Sequence, residues 1–225
     1  MRVLIVNGHL HVGGVEKSLI NLLRSLDYTK YQVDLLLVEA LGDYLDEVPK
    51  QVRVFCRDLK PTYGAFFDVL SRAARERRWD TFSHKLSLTV AAKKDKRALR
   101  WILPRELRQE YDAAIAYRVG LPLDLVAYAV RAKKKLAWWH HGAFDYPAAT
   151  VKMWHQGFER MNQIVCVSDS VRKMISPHFP GLESRMCVLS NMIIPEEIRA
   201  AAEAFQPYAD VQGKTILVSV GRMSE

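Results

Sequence analysis

Apolar residues fall in short unbroken runs separated by stretches of helical periodicity. Val3-Leu4-Ile5-Val6 opens the chain, and such a run reads as a strand buried on both faces, as in parallel sheets. Leu19, Leu22, Leu23 and Leu26 follow at helical spacing. The alternation repeats, predicting strands near 2–7, 32–38, 52–56, 112–117, 135–139, 163–167, 185–189 and 214–220. Helices are predicted near 14–26, 64–78, 81–92, 95–109, 121–131, 150–160, 169–177 and 195–204. Strands that alternate with helices build a parallel sheet covered on both faces. Right-handed crossovers then bring the loops after the strands to one edge. The expected fold class is α/β, a Rossmann-like parallel sheet with helices on both faces.

The first of those loops runs from Asn7 to Glu16 and carries Gly8, Gly13 and Gly14. Ligands of open parallel sheets bind outside the carboxyl ends of the strands. Glycine lets backbone approach a ligand without a Cβ in the way, and the start of the following helix offers unpaired N–H groups to an anion. Two readings stand for this loop, a phosphate-binding turn and a tight turn that simply needs small residues. The dinucleotide fingerprint G-x-G-x-x-G is broken, because Leu10 stands at the middle glycine position. Glu39, at the end of the second strand, keeps a ribose-binding alternative open. No G-K-[ST] follows, so a Walker loop is excluded.

Two further strand ends carry candidate chemistry. His140 and His141 close the run Leu136-Ala-Trp-Trp139. A neutral imidazole there can donate to a hydroxyl or phosphate. Strand alternation turns one of the two toward the cleft, and His141, next to Gly142, is the favoured one; the alternative is a histidine that caps a strand-end carbonyl. Ser168 follows Ile164-Val-Cys-Val167 and reads as a helix N-cap, with its hydroxyl also able to meet a ligand. No G-x-S-x-G elbow surrounds it. His9, His11, His140 and His141 lack the thiols or carboxylates of a zinc site, and no metal is expected.

Composition narrows the rest. Hydrophobic residues make up 49% of 225, enough for a sizeable core. Cys56, Cys166 and Cys187 are far apart in apolar runs, without C-x-x-C spacing, and are expected to be buried thiols of a reducing compartment. No secretory signal or membrane-spanning run is visible. The net charge is +8, and segment 72–108 holds twelve basic and four acidic residues. The whole excess is therefore local. Its ordinary meaning is a solvated helical face. The sharper meanings are an anionic membrane surface or acceptor, read at Lys93, Lys94, Arg97 and Arg100, and nucleic acid, which ranks lower because no nucleic-acid module accompanies the charges.

The last segment, Lys214 to Glu225, has the form of a new first strand with Gly221 behind it, after a linker around Pro207 and Gly213. The expected organisation is a domain over 1–205 and, over 206–225, a linker plus the first strand of a second domain that is missing here.

With these pieces in place, the chain resembles the N-terminal half of a family 4 (group 1) glycosyltransferase of the GT-B fold. Four stretches carry the likeness in order: Met1-Arg-Val-Leu-Ile-Val-Asn7 with Gly13-Gly14-Val15-Glu16; Trp139-His140-His141-Gly142; Val165-Cys-Val-Ser168-Asp-Ser-Val171; and Val188-Leu-Ser-Asn191 with Val218-Ser-Val-Gly221-Arg222. One departure is Met192 where the family has proline. The resemblance implies two Rossmann-like domains around a cleft, with the N-terminal one on the acceptor side. It implies a retaining enzyme that moves a sugar from a nucleotide-sugar donor to a glycan or lipid-linked acceptor in cell-surface polysaccharide synthesis. No metal or other cofactor is implied. By position, Gly13, Gly14 and Glu16, with Ser168, meet the donor's sugar or diphosphate. His141, or His140 in a shifted register, hydrogen-bonds the transferred sugar, and Arg222 binds the diphosphate. The enzyme is expected in the cytoplasm, peripheral on the membrane's inner face, and inactive as this chain alone. Two other classes remain compatible with the residues, a NAD-dependent oxidoreductase and a non-enzymatic basic domain for membrane or nucleic acid.

Overall fold

The structure, a computed structural model, describes residues 1–39, 42–204, 215 and 217–219. The chain divides into two units, Met1–Met192 and Ile193–Glu225. The expected boundary at 205/206, the strand at 214–220 and Arg222 fall wholly or largely outside the described residues.

The first unit is built on seven parallel strands: β1 Arg2–Asn7, β2 Gln32–Leu37, β3 Arg53–Cys56, β4 Glu110–Ala116, β5 Arg131–Trp139, β6 Gln163–Cys166 and β7 Met186–Val188. Their order across the sheet is β3-β2-β1-β4-β5-β6-β7. β1 therefore lies between β2 and β4, with Val3 level with both Val33 and Ala113. The winding direction reverses there, so the crevice after β1 and β4 is the topological switch point where such sheets receive ligands.

The sheet separates two apolar layers. Val3 and Ile5 of β1 face one layer with Leu35 of β2 and with Leu19, Ile20 and Leu23 of helix α1 (Gly14–Arg24). Leu4 and Val6 face the other, with Leu99, Ile102, Leu123 and Trp139. A strand with such neighbours on both sides has no polar face, which is why β1 reads as an unbroken apolar run. Asp34 is the exception in β2. Its buried carboxylate takes a two-pronged contact from Arg53 (2.7 and 2.8 Å) and a 2.7 Å bond from the Tyr111 hydroxyl.

Around the sheet stand α2 Phe66–Arg75, α3 Trp79–Lys93, α4 Leu121–Asp124, α5 Ala148–Phe158 and α6 Asp169–Ile175. In the second unit, α7 (Pro195–Glu203) has proline in its first turn. Three expectations need correction. The helix expected at 95–109 is two 3₁₀ turns, Lys96–Trp101 and Arg105–Arg108. Pro104 between them has no N–H and forces its predecessor out of helical geometry. The helix expected at 121–131 is α4 followed by a π turn over Leu125–Ala129. Of the cysteines, Cys166 is buried, which pushes its thiol up to about 11. Cys187 is half-buried, and Cys56 is exposed, because it ends β3 at the sheet's margin, where among the described residues one side has no neighbouring strand.

Candidate functional site

The loop after β1 is organised by short local bonds. Asn7 Nδ2 donates to the His9 carbonyl (2.7 Å), and the His11 N–H donates to His9 Nδ1 (3.3 Å). Tyr44 N–H reaches the Leu10 carbonyl and the Asp43 carboxylate accepts from Val12 N–H, which ties the loop to the segment after β2.

α1 then begins with Gly13 as its extended N-cap. Glu16, in the first turn, is turned inward with 5% of its side chain exposed. A carboxylate suits the positive end of the helix, and here it has a specific partner: Arg118 Nη1 donates to Glu16 Oε1 at 3.0 Å. Arg118 stands just past the end of β4, after Tyr117. Its Nη1 also lies 3.2 Å from His9 Nε2. The two contacts meet opposite nitrogens of the His9 ring, and the Arg118 bond to Glu16 stands apart from either. The crevice after β1 and β4 is thus closed from beneath by a Glu16–Arg118–His9 cluster.

The glycines divide their roles around that cluster. A Cβ on Gly13 would collide with Glu16 Oε2, so Gly13 is small because the carboxylate folds back against it. A Cβ on Gly14 would meet nothing within 4 Å. The position required by packing is therefore Gly13, and the position with open space before it is Gly14.

β5 delivers the two histidines. The His140 ring lies on Tyr117, with centroids 4.7 Å apart. It sits near a backbone group of Tyr117 that favours its protonated form slightly, yet neither ring nitrogen completes a hydrogen bond of normal geometry. Burial, then the neighbouring His141, then the Arg118 charge push its pKa down to about 4. The His141 ring packs by its edge on Trp139 (5.7 Å) and Tyr146 (6.0 Å). Its pKa is lowered by burial and then by Arg118. Both imidazoles are accordingly neutral at pH 7, and both feel the same guanidinium. Trp139 Nε1 donates to the His141 carbonyl, which fixes the strand end. Beside this loop opens a groove of roughly 690 Å³ lined in part by Phe144, Tyr146, His155 and His178.

Tyr117 links these strands to α1. Its hydroxyl and Ser18 Oγ are 2.8 Å apart, and Ser18 Oγ donates to Asn191 Oδ1 at 2.9 Å. A hydroxyl has one proton, so Tyr117 is the donor in the first bond. Burial is the main cause that pushes the Tyr117 pKa up to about 12. Asn21 Nδ2 donates to the Met192 carbonyl at 2.9 Å, so α1 also grips the chain after β7. Ser168 caps α6 as expected, accepting from Val171 N–H (3.2 Å), and its Oγ lies 3.0 Å from that of Ser170.

The structure thus brings Gly13, Gly14, Glu16, His140 and His141 to the same sheet edge, around Arg118. Sequence reasoning missed Arg118, Tyr117 and Ser18. Arg118 had a readable signal: it is the first residue after a predicted middle strand, on the edge where ligands bind.

The basic segment is less available than its composition suggests. Arg100 is half-buried and reaches the Ala129 and Arg108 carbonyls; Lys85 reaches those of Thr62 and Gly64. Arg97 pairs with Asp95, and Lys96 with Asp124 (2.7 Å). Lys93 and Lys94 are exposed. Glu39, the ribose candidate, is held by Lys60 (3.4 Å) and Tyr63. Among the described residues no group of three or more His, Cys, Asp or Glu is placed to hold a metal ion, and no helix is long and apolar enough to cross a membrane.

No family model matches the chain, and no curated protein matches it. Its fold recurs among solved structures. HepE of Anabaena, solved in complex with UDP and glucose, is 16% identical, with a TM-score of 0.51 over 85% of this chain and 44% of that one. A glycosyltransferase from Rickettsia africae is 16% identical, with a TM-score of 0.51 over 90% of this chain and 48% of that one. This chain therefore spans less than half the length of either structure. At such identity the likeness is one of fold: a Rossmann-like α/β sheet shared with a glycosyltransferase and with a protein that holds UDP and glucose.

Proposed function

We propose that this chain is the acceptor-side domain of a retaining GT-B glycosyltransferase. The observation that carries the reading is the convergence, at the switch point between β1 and β4, of the glycine loop, the Glu16–Arg118 pair and two neutral histidines from β5. Transfer from a nucleotide sugar develops positive charge at the anomeric carbon and negative charge on the departing diphosphate. Backbone N–H groups at a helix start stabilise the second. The open space before Gly14 admits the donor's sugar or diphosphate to that backbone. His141 or His140 hydrogen-bonds sugar hydroxyls as a neutral imidazole, and the Ser168 hydroxyl serves the same edge. Burial keeps both imidazoles uncharged, the Arg118 charge adds to it, and Arg118, held by Glu16, orders the loop.

Arg222 is proposed as the diphosphate's cation, supplied with the second domain. The acceptor is a glycan or lipid-linked glycan of cell-surface polysaccharide synthesis. Exposed Lys93 and Lys94 face an anionic acceptor or the inner membrane surface, where the enzyme sits as a peripheral protein. The oxidoreductase reading has less support, since Glu39 is already engaged by Lys60 and Tyr63.

The test is a titration of the isotope-labelled chain with UDP-glucose, a donor suggested by what HepE holds. Amide shifts are expected at Gly13, Gly14 and Gly142, saturating only in the millimolar range because this chain spans less than half the length of the neighbour that holds UDP and glucose, and weakened by His141→Ala. Micromolar binding by this chain alone would overturn the two-domain scheme. Shifts confined to other residues, or a response to NADH in place of UDP-glucose, would overturn the glycosyl-transfer reading.

A further inference from the structure

A second groove, of roughly 780 Å³, is walled by the turn Lys94–Arg97, by the π turn that carries Tyr128, by Lys135 of β5 and by Arg160 after α5. None of these residues belongs to the strand-end cluster. Lys135 precedes Trp139 by four residues, about 13 Å along a strand, so the groove opens on the flank of the sheet, not at its carboxyl edge. Its volume is within the range of small-molecule sites, about 300–1,000 Å³.

The lining is strongly cationic: Lys94, Lys96, Arg97, Lys135 and Arg160 against the single carboxylate of Asp95. Two of these cations are neutralised locally, Arg97 by Asp95 and Lys96 by Asp124. Among the described residues Lys94, Lys135 and Arg160 have no carboxylate partner. Lys135 is half-buried, and its Nζ makes one hydrogen bond there, to the Ala127 carbonyl at 3.1 Å. An ammonium has three donors, so two are left. Arg160 lies over the Tyr128 ring, 4.6 Å from its centroid, and Lys96 is 5.1 Å from the same centroid. That contact holds the Arg160 guanidinium beside the groove, and a planar fork of donors suits phosphoryl oxygens. Tyr128 itself sits in a π turn, a backbone form that recurs at functional sites. Burial, and secondly the Arg160 charge, hold the Lys135 ammonium below lysine's usual range. A partly desolvated cation with open donors beside another cation is costly until an anion arrives.

We propose that this flank groove binds a phosphorylated anion, a phosphate monoester or diphosphate, through Lys135 and Arg160, with Lys94 at its rim. The inference shares Lys94 with the acceptor or membrane face proposed above, but it does not use the strand-end site and does not depend on glycosyl transfer. The anion is either a soluble phosphate ester or a lipid headgroup, and two assays separate these sources. One is calorimetry of the chain with inorganic pyrophosphate. The other is flotation on phosphatidylglycerol vesicles, with phosphatidylcholine vesicles as the neutral control.

Lys135→Met and Arg160→Gln are each expected to weaken binding about tenfold, the loss of one charge-assisted hydrogen bond. Lys50→Gln, the same charge change at an exposed lysine outside the groove, should leave it unchanged. Arg160 is exposed, so its variant reports on the groove even where Lys135→Met perturbs folding, which circular dichroism detects. Saturable pyrophosphate binding with this variant pattern supports the site for a soluble anion. The same pattern in flotation alone supports it for a headgroup. Binding in neither assay, or equal losses from Lys50→Gln, overturns it.

Discussion

Replacing Arg118 by methionine strands the Glu16 carboxylate, and the cost follows from the geometry. The pair is 3.0 Å apart, with 5% of the Glu16 side chain and 30% of Arg118 exposed. At an effective dielectric constant of about 20 the Coulomb attraction at that distance is about 5 kcal/mol. Solvent at Arg118 reduces it. Removing one partner of a buried pair costs about 3–5 kcal/mol, mainly because the other charge is left without compensation. We expect the low end, about 3 kcal/mol, or a fall in melting temperature of about 6–12 °C for a unit of this size. Urea unfolding followed by circular dichroism measures it, with an unchanged slope showing that only stability has moved. The decisive comparison is a double-mutant cycle with Glu16→Gln. Removing the stranded charge should return about 1.5 kcal/mol or more of the Arg118→Met loss, since residues in direct contact couple by about 0.5–3 kcal/mol. A loss below about 1 kcal/mol, or strictly additive effects, would refute the view that Glu16 and Arg118 form one unit.

Two further outcomes are expected. Because His140 titrates at about 4 in the fold and near 6.5 when unfolded, the unfolded chain binds the extra proton between those values. Stability present above pH 6.5 is therefore lost as pH falls toward 4, by about 2 kcal/mol after allowance for solvent. His140→Phe should flatten the urea midpoint between pH 7.5 and 5, leaving the slopes from the similarly lowered His84 and His141; an unchanged slope would show that His140 is not the group responsible. The two glycines should also separate. Gly13→Ala must displace Glu16 and should lower stability by about 1–3 kcal/mol, whereas Gly14→Ala fills open space at a helix start and should be neutral or slightly stabilising. Equal losses in thermal melts would contradict that division.

The fold was legible because its strands are buried on both faces. β1 shows this as a continuous apolar run and β2 as a run broken only by the paired Asp34, and sequence reading placed both within a residue. The start of β5 was hidden for the opposite reason. Arg131 and Lys134 pair with β4 while their side chains are exposed, and Lys133 between them reaches Asp112. Its hydrogen bonding is that of a strand, but its polarity is that of a loop. The 95–109 segment shows helical spacing, yet Pro104 divides it, a local veto that periodicity does not register. The site was legible as far as the backbone dictates it, in the glycine turn and the histidines at a strand end. Arg118 and Tyr117 act through partners about a hundred residues away, in Glu16 and Ser18. No spacing along the chain encodes those pairings; they exist once β1 and β4 lie side by side. Part of the charge of segment 72–108 is engaged internally for the same reason: Arg100 and Lys85 donate to carbonyls that sequence cannot assign to them.

Helix α1 opens beside Gly14 at one end, while Ser18 and Asn21 along its flank hold Asn191 and the Met192 backbone. One helix therefore carries, at its start, the glycine turn with the carboxylate folded against it and, along its flank, the anchor of the backbone that leaves β7. Displacing that backbone strains two hydrogen bonds to the same helix, so two polar side chains connect the mouth of the crevice to the segment after the last strand.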